Sequence, residues 1–118
     1  MSNNKGALAE QTACDFLLKN GLQLIARNYN CKMGEIDLIF RDSQHVVFVE
    51  VRSRSSTRYG SALESITYSK QRRIIRAAQL FLLEKKWTER YPCRFDVITL
   101  QLEQAQPHIE WIKDAFSN

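Results

Sequence analysis

The order of hydrophobic and polar positions along the chain predicts two helices and four or five strands. A 3.6-residue apolar period predicts helices over about 5–19 and 68–86, the first ended by Asn20-Gly21 and the second capped by Thr67. The polar segment between them over 53–65 predicts an irregular loop. Apolar runs predict strands over 23–29, 35–40, 46–53, 93–102 and, less regularly, 108–113. This order is typical of a single α/β or α+β domain with a central sheet of four to five strands flanked by helices.

Length and composition favour one globular domain over residues 1–118. Hydrophobic residues make up 44% and charged residues 25%, and no apolar stretch approaches the roughly 18 residues that cross a bilayer. The first residues are polar and do not resemble a signal peptide. We therefore expect a cytoplasmic protein with no membrane partner.

The charge balance is mildly basic, with 17 Lys and Arg against 13 Asp and Glu. This excess permits an anionic partner such as nucleic acid without requiring one. The three cysteines, Cys14, Cys31 and Cys93, are far apart and form no CxxC pair, which argues against a disulfide framework or a zinc site.

Acidic residues interrupt two otherwise apolar strands that are joined by a short polar turn. Asp37 lies at the centre of GEIDLIF, and Glu50 and Arg52 follow the run VVFV. A two-residue loop, Ser43-Gln44, places Asp37 opposite Glu50, and a four-residue loop gives the same register. Directly opposed side chains point to one side of the sheet, with Cβ atoms about 5 Å apart.

Two carboxylates held this close repel each other unless a proton or a cation lies between them. Hard oxygen ligands suit Mg²⁺, so the pair is a candidate metal site. In the same register Glu35 faces Arg52 and offsets part of the charge. The alternative is a solvated hairpin face on which acids and bases alternate. The valine-rich opposite face favours a central strand covered on both sides, where a charge is more costly.

Glu10 is a third candidate acid, because it falls within the apolar stripe of the first helix. As a lone residue it has an ordinary alternative, in which its carboxylate reaches the rim of the core and contacts water. On helical geometry, one arc about 100° wide contains Ala7, Glu10, Cys14, Leu17, Leu18 and Gly21.

These residues carry a resemblance to a known family. The helix acid Glu10, GEIDLI, VFVEVR, ITYSKQRRIIRAA and RFDVITL together resemble the YraN family of uncharacterised bacterial proteins, over nearly the whole chain. That family belongs to the PD-(D/E)xK nuclease superfamily and is similar to archaeal Holliday junction resolvases. The resemblance implies a restriction-endonuclease-like α/β core with a central mixed sheet.

The resemblance also implies a metal-dependent nuclease site. By motif position Asp37 matches the first acid, Glu50 the second, and Glu10 the helix acid of the resolvase-like branch. These three would bind Mg²⁺ (or Mn²⁺), and Arg52 stands where the motif lysine normally stands. The expected reaction is hydrolysis of phosphodiester bonds in DNA, with branched or flapped DNA as a candidate substrate.

This chain departs from the motif at two positions. Ile36 replaces the motif proline, which matters little because the acid carries the chemistry. Arg52 matters more, because arginine stays protonated and cannot accept a proton from water, although its guanidinium can hold a phosphate. Lys70, in the first turn of the second helix and directed towards the sheet, is a candidate to compensate; the alternative is an ordinary surface lysine.

A basic cluster at the start of the second helix is the predicted nucleic-acid contact. Such side chains give affinity for phosphate without sequence choice. The alternative is a solvated helix face, since runs of charge usually have that role. The predicted contact residues are Arg52, Arg54, Lys70, Arg72, Arg73 and Arg76.

Two functions therefore remain open from the sequence. The first is a Mg²⁺-dependent nuclease, and the second is a non-catalytic nucleic-acid-binding module that kept the fold after losing the motif lysine. Resolvase-like relatives pair up to cut two strands, so the resemblance admits a homodimer, which no residue pattern of this chain demonstrates.

Overall fold

A computed structural model of the chain describes residues 4–53, 66–101, 106 and 108–118. Of the loop predicted over 53–65, Ser53 ends a strand, and residues 54–65 lie outside the described residues, so the prediction of an irregular segment there stays a prediction. The helices and strands, in chain order, are α1 (Asn4–Lys19), β1 (Gln23–Cys31), β2 (Gly34–Arg41), β3 (Val46–Ser53), α2 (Tyr68–Lys85), β4 (Cys93–Gln101) and β5 (His108–Phe116).

The five strands form one mixed sheet in the order β1-β2-β3-β4-β5. Neighbouring strands are antiparallel except β3 and β4, which are parallel because the chain crosses over through α2 between them. The helices cover opposite faces of the sheet. The prediction of an α/β domain with a mixed sheet flanked by helices is confirmed, and the architecture is compatible with a restriction-endonuclease-like core.

Neither described helix is long and apolar enough to cross a membrane.

The ends of both helices follow from local sequence. Gly21 adopts φ +89°, and the Leu22 N–H donates to Leu17 O at 3.2 Å, which is the Schellman ending that Asn20-Gly21 predicts. At the start of α2, the Thr67 hydroxyl accepts a hydrogen bond from the Lys70 N–H at 3.1 Å, as its N-cap role predicts. This cap fixes the first turn of α2, which carries Lys70.

Strand β3 is the central strand and is buried on both faces. Val46 and Phe48 pack in the apolar cluster beneath α2, whereas Val47 and Val49 pack in the cluster beneath α1. The predicted alternation along this strand is therefore confirmed. Its consequence is that Glu50, the next even-numbered residue, lies on the α2 face of the sheet.

The predicted apolar stripe of α1 is confirmed at Cys14 and Leu17, which are buried, and is wrong at Leu18 and Ala7. The side chain of Leu18 is 46% exposed and Ala7 is exposed, although both were expected to face the core. The small side chains of Ala9 and Ala13 pack instead in the apolar cluster that contains Val47 and Val49 of β3. The buried residues of α1 are Ala9, Ala13, Cys14 and Leu17.

The predicted alternation along β2 also fails at one point. Ile36 was expected to share a face with Leu38, but Ile36 packs beneath α2 whereas Leu38 packs beneath α1. Strand β1 turns over at the same level, because Tyr29 contacts Phe81 of α2, whereas Arg27 donates to Gln11 of α1 at 3.1 Å. Both strands therefore reverse their faces, β1 at Asn28 and β2 at Asp37. The residues on either side of each reversal point, which a regular strand would place on one face, lie on opposite faces of the sheet.

Candidate functional site

The β2–β3 hairpin has the predicted register. Its ladder includes the pair Leu38–Val49 and is closed by a backbone hydrogen bond of 3.0 Å across a two-residue loop. Asp37 and Glu50 are the next residues along the two strands. The short loop therefore brings the two acids to the same level of the sheet, as predicted.

Asp37 is directed along the sheet towards β3. Its Oδ2 accepts a hydrogen bond from the Val51 N–H at 2.9 Å. Continued in register, the ladder would place Val51 opposite Ile36, so the side chain of Asp37 supplies an acceptor where the strands part. The Asp37 carboxyl group also lies within hydrogen-bonding reach of the Glu50 carboxyl group.

Glu50 is an acid in a buried position, with 4% of the residue exposed. Burial, together with the neighbouring charge of Asp37, raises the pKa of Glu50 to about 7. Two cations partly oppose this shift. Lys70 Nζ lies 3.6 Å and Arg52 Nε 3.8 Å from Glu50 Oε2. Glu50 is therefore expected to titrate near neutral pH, above the ordinary pKa of 4.5 for a glutamate.

Lys70 reaches the site from α2, as its helical position predicts. Ile74 and Ala78, one and two turns further along α2, are buried on the same side of the helix. Its side chain is 40% exposed, so it can contact both Glu50 and a ligand in solvent. The site therefore holds two cations, of which Arg52 comes from the strand and Lys70 from the helix.

Glu10 lies on the α1 side of the sheet. Partial burial raises its pKa, and the charges of Asp37 and Glu35 raise it further, while Arg27 and a side-chain hydrogen bond from Asn28 lower it. Asp37, at the level where the strands turn over, is thus the acid that interacts with both Glu10 and Glu50. A pocket of about 540 Å³ next to Glu10 is lined by Gly6, Ala7, Glu10, Gln11, Arg27, Asn28 and Glu35.

Glu35 does not lie where the regular register predicts. It was expected opposite Arg52, on the face of Glu50, but it lines the α1-side pocket with Glu10. The reason is the reversal of faces at Asp37, which carries every residue before it on β2 to the other side. Arg52 instead lies beside Glu50.

The donor chemistry of Asp37 and Glu50 fits a hard divalent cation, since both offer carboxylate oxygens and, besides burial, the charge of Asp37 disfavours ionisation of Glu50. A cation between them would remove that repulsion. Across the ranges that the structure describes, no group of three or more His, Cys, Asp and Glu side chains is close enough to hold a metal ion. The role of Glu10 as a third ligand therefore stays a prediction.

The predicted basic cluster spreads over two sides of α2. The Arg72 guanidinium donates to Asn118 Oδ1 at 2.6 Å, near the end of β5. The backbone of Arg73 lies against Gly34 on the other side, so closely that a Cβ at Gly34 would approach Arg73 Cβ to 3.3 Å. Arg76 is exposed. Arg54, also predicted to contact nucleic acid, lies outside the described residues.

Sequence reasoning missed two polar residues that share a pocket with Glu10, and two buried polar residues on β4. Arg27 and Asn28 line the α1-side pocket. On β4, Thr99 lies opposite Arg52, and both Thr99 and Gln101 are buried. A signal existed for Asn28, because asparagine is among the few residues that adopt left-handed backbone readily. The alternating polar positions of VITLQ were a signal for the β4 pair.

Comparison with known proteins identifies relatives across almost the full chain. A UPF0102 protein of Nitrosococcus oceani is 48% identical over 113 residues, which cover 96% of this chain and 91% of that protein. A UPF0102 protein of Legionella pneumophila is 45% identical, covering 98% of this chain and 97% of the relative. A third, of Pseudomonas paraeruginosa, is 48% identical and covers 98% of this chain and 94% of the relative.

The family described as "Uncharacterised protein family UPF0102" matches residues 9–100, a range that includes Glu10, Asp37, Glu50, Arg52 and Lys70. This match agrees with the resemblance to the YraN family that the sequence motifs indicate. The chain belongs to the UPF0102 (YraN) family.

Proposed function

We propose that this protein is a cytoplasmic, metal-dependent nuclease that hydrolyses phosphodiester bonds in DNA, with branched or flapped DNA as its candidate substrate. The observation that carries the proposal is the pair of Asp37 and Glu50. The two carboxyl groups lie within hydrogen-bonding reach, and the pKa of buried Glu50 is raised to about 7. Two neighbouring carboxyl groups that repel each other favour the binding of a divalent cation, and the two cationic side chains beside them favour the binding of a phosphate.

Asp37 and Glu50 are the residues that would hold Mg²⁺ or Mn²⁺, with Glu10 as the predicted third acid. A bound divalent cation supplies charge stabilisation to a phosphodiester undergoing attack. The Val51 N–H holds Asp37 Oδ2 at 2.9 Å and so restrains the carboxylate before any ligand arrives. This restraint lowers the cost of ordering the site.

Arg52 and Lys70 have the role of binding phosphate in this proposal. Both lie within 4 Å of Glu50 Oε2, so a phosphate bound near the acids lies within reach of both cations. Arg52 cannot act as a base, but its guanidinium can hold two phosphate oxygens. Lys70, at 40% exposure, is available to contact a phosphate in solvent. Nucleic acid would then extend along the start of α2, past Arg72, Arg73 and Arg76.

The experiment is cleavage of labelled four-way junction, flapped and linear DNA in Mg²⁺ and in Mn²⁺. We expect wild-type protein to cut at least one of these, and Asp37→Asn and Glu50→Gln to lose at least a hundredfold in rate. Matched controls are Asp15→Asn and Glu89→Gln, which neutralise exposed acids of the same types. Absence of cutting by wild type in both metals, or equal loss in the controls, would refute the nuclease.

Arg52 in the lysine position favours a second candidate, a nucleic-acid-binding module with a degenerate nuclease site. The two functions differ in their response to Glu50→Gln. Binding of junction DNA without cleavage, and unchanged by this substitution, supports the module. Arg52→Lys adds a further test, because a gain of cutting in Mn²⁺ would show that the acids and the fold are competent and that the arginine alone limits the reaction.

A further inference from the structure

Asn28 is a residue of β1 with an unusual backbone conformation. Its φ is +51°, in the left-handed region, where residues other than Gly, Asn and Asp are uncommon. In the β1–β2 ladder, the pairs Arg27–Leu38 and Tyr29–Ile36 flank it, so Asn28 lies at the level of Asp37. Asn28 and Asp37 therefore lie at the same level of the sheet, on neighbouring strands.

The left-handed backbone of Asn28 lies at the level where both strands exchange faces. Arg27, before Asn28, contacts Gln11 of α1, whereas Tyr29, after it, contacts Phe81 of α2. A regular strand would direct both side chains to one face. The partner strand follows the same reversal around Asp37, whose carboxylate consequently bonds β3.

The side chain of Asn28 faces the acid on α1. It lines the α1-side pocket together with Glu10, and its amide lies close enough to the Glu10 carboxyl group to lower the pKa of that acid, against the larger effect of burial. One residue therefore bears on two of the three predicted acids, Asp37 through its backbone and Glu10 through its amide.

We propose that Asn28 is a positioning residue of the candidate site: its left-handed backbone turns β1 and β2 over together and directs Asp37 towards β3, and its amide holds Glu10 beside Asp37. This assignment rests on the proposed function only in its consequence for metal binding. Its structural part can be tested in protein that carries no metal.

Three substitutions separate the backbone contribution from the amide contribution. Asn28→Gly keeps the left-handed conformation and removes the amide; Asn28→Ala removes both; Asn28→Asp keeps the backbone preference and places a charge against Glu10. We expect Asn28→Ala to have a Tm about 4 °C below that of Asn28→Gly. Equal Tm values for the two variants would overturn the backbone part.

NMR on ¹⁵N-labelled protein tests the proposed contact between the side-chain amide of Asn28 and Glu10. We expect the side-chain NH₂ resonance of Asn28 to move in Glu10→Ala and to stay in place in Asp15→Ala, a matched control on an exposed acid of the same helix. No movement in Glu10→Ala would overturn the amide part.

Calorimetry with Mn²⁺ then tests the consequence for the site. We expect the affinity of Asn28→Gly to fall about tenfold, and that of Asn28→Asp to rise or hold, because a carboxylate replaces the amide as a possible ligand. Affinity in Asn28→Gly equal to wild type would show that the amide does not position a ligand. If wild type binds no Mn²⁺, the metal site of the proposed function fails, while the Tm and NMR comparisons still decide the role of Asn28.

Discussion

Asp37 Oδ2 accepts a hydrogen bond from the backbone N–H of Val51, with a donor–acceptor distance of 2.9 Å. This bond joins β2 to β3 beyond the end of their backbone ladder. The same carboxyl group raises the pKa of Glu50. Asp37 therefore has a structural role and a proposed chemical role, which substitutions can separate.

The structural role predicts a difference between two substitutions of Asp37. Asp37→Ala and Asp37→Asn both remove the charge, but only asparagine keeps an oxygen that can accept the Val51 N–H. We expect the alanine variant to be less stable than the asparagine variant by about 1 kcal/mol, the usual net value of one such bond. Urea denaturation of both variants at pH 8 gives this difference, and equal free energies of unfolding would contradict the contact.

The raised pKa of Glu50 predicts a pH-dependent stability. Its folded pKa of about 7 exceeds the ordinary value of 4.5, so the proton binds more tightly in the folded state. The stability that this provides is complete below pH 4.5 and is lost as the pH rises through 7. Glu50→Gln removes the titration, so its free energy of unfolding, relative to wild type, is expected to rise between pH 4.5 and 8 by on the order of 3 kcal/mol.

Thermal or urea unfolding of wild type and Glu50→Gln at pH 5, 6, 7 and 8 measures this change. Glu89→Gln is the matched control, because Glu89 is exposed. Parallel stability curves for wild type and Glu50→Gln across this range would contradict a neutral-range pKa at Glu50.

Lys70 is predicted to matter for chemistry more than for stability. Lys70→Met keeps the aliphatic part of the side chain and removes the ammonium 3.6 Å from Glu50. We expect DNA cleavage to fall about a hundredfold, since one preorganised donor to the transition state is lost. Lys19→Met, at an exposed lysine of the other helix, should retain full activity, and equal activity in Lys70→Met would remove Lys70 from the site.

The basic residues of α2 are predicted to act through phosphate contacts. Arg73→Ala and Arg76→Ala should each weaken DNA binding for all sequences and reduce the slope of log K against log salt by about 1. Arg72→Ala should have a smaller effect, because its guanidinium already donates to Asn118. Fluorescence anisotropy from 50 to 300 mM salt, with Lys19→Ala as control, tests this; unchanged slopes in all three variants would place the DNA elsewhere.

The features that sequence could predict depend on short-range geometry. The length of the β2–β3 loop fixes the register of one hairpin, and this sufficed to bring Asp37 to the level of Glu50. Likewise, the angular position of Lys70 on α2 sufficed to direct it towards the sheet. Both inferences concern residues whose separation along the chain, or along a regular element, determines their separation in space.

The features that could not be predicted depend on departures from regular geometry. Glu35 was assigned to the wrong face because alternation was carried through Asp37, where the strands turn over. The left-handed φ angle of Asn28 on the neighbouring strand lies at the level of this reversal, and no alternation pattern contains it. The buried face of α1 was only partly predicted, because Ala9 and Ala13, which share a face with Leu17 at a spacing of four residues, were left out of the predicted stripe in favour of Ala7 and Leu18.

Asn28 has one more consequence, for association between molecules. Strand β1 is an outer strand of the sheet, and its outward amides and carbonyls are the groups to which a strand from another copy could attach. The left-handed turn at Asn28, with the irregular pairing near Ile25, breaks that row into short pieces. Asn28 thus also leaves β1 with only short stretches of backbone to which another strand could attach at this edge of the sheet.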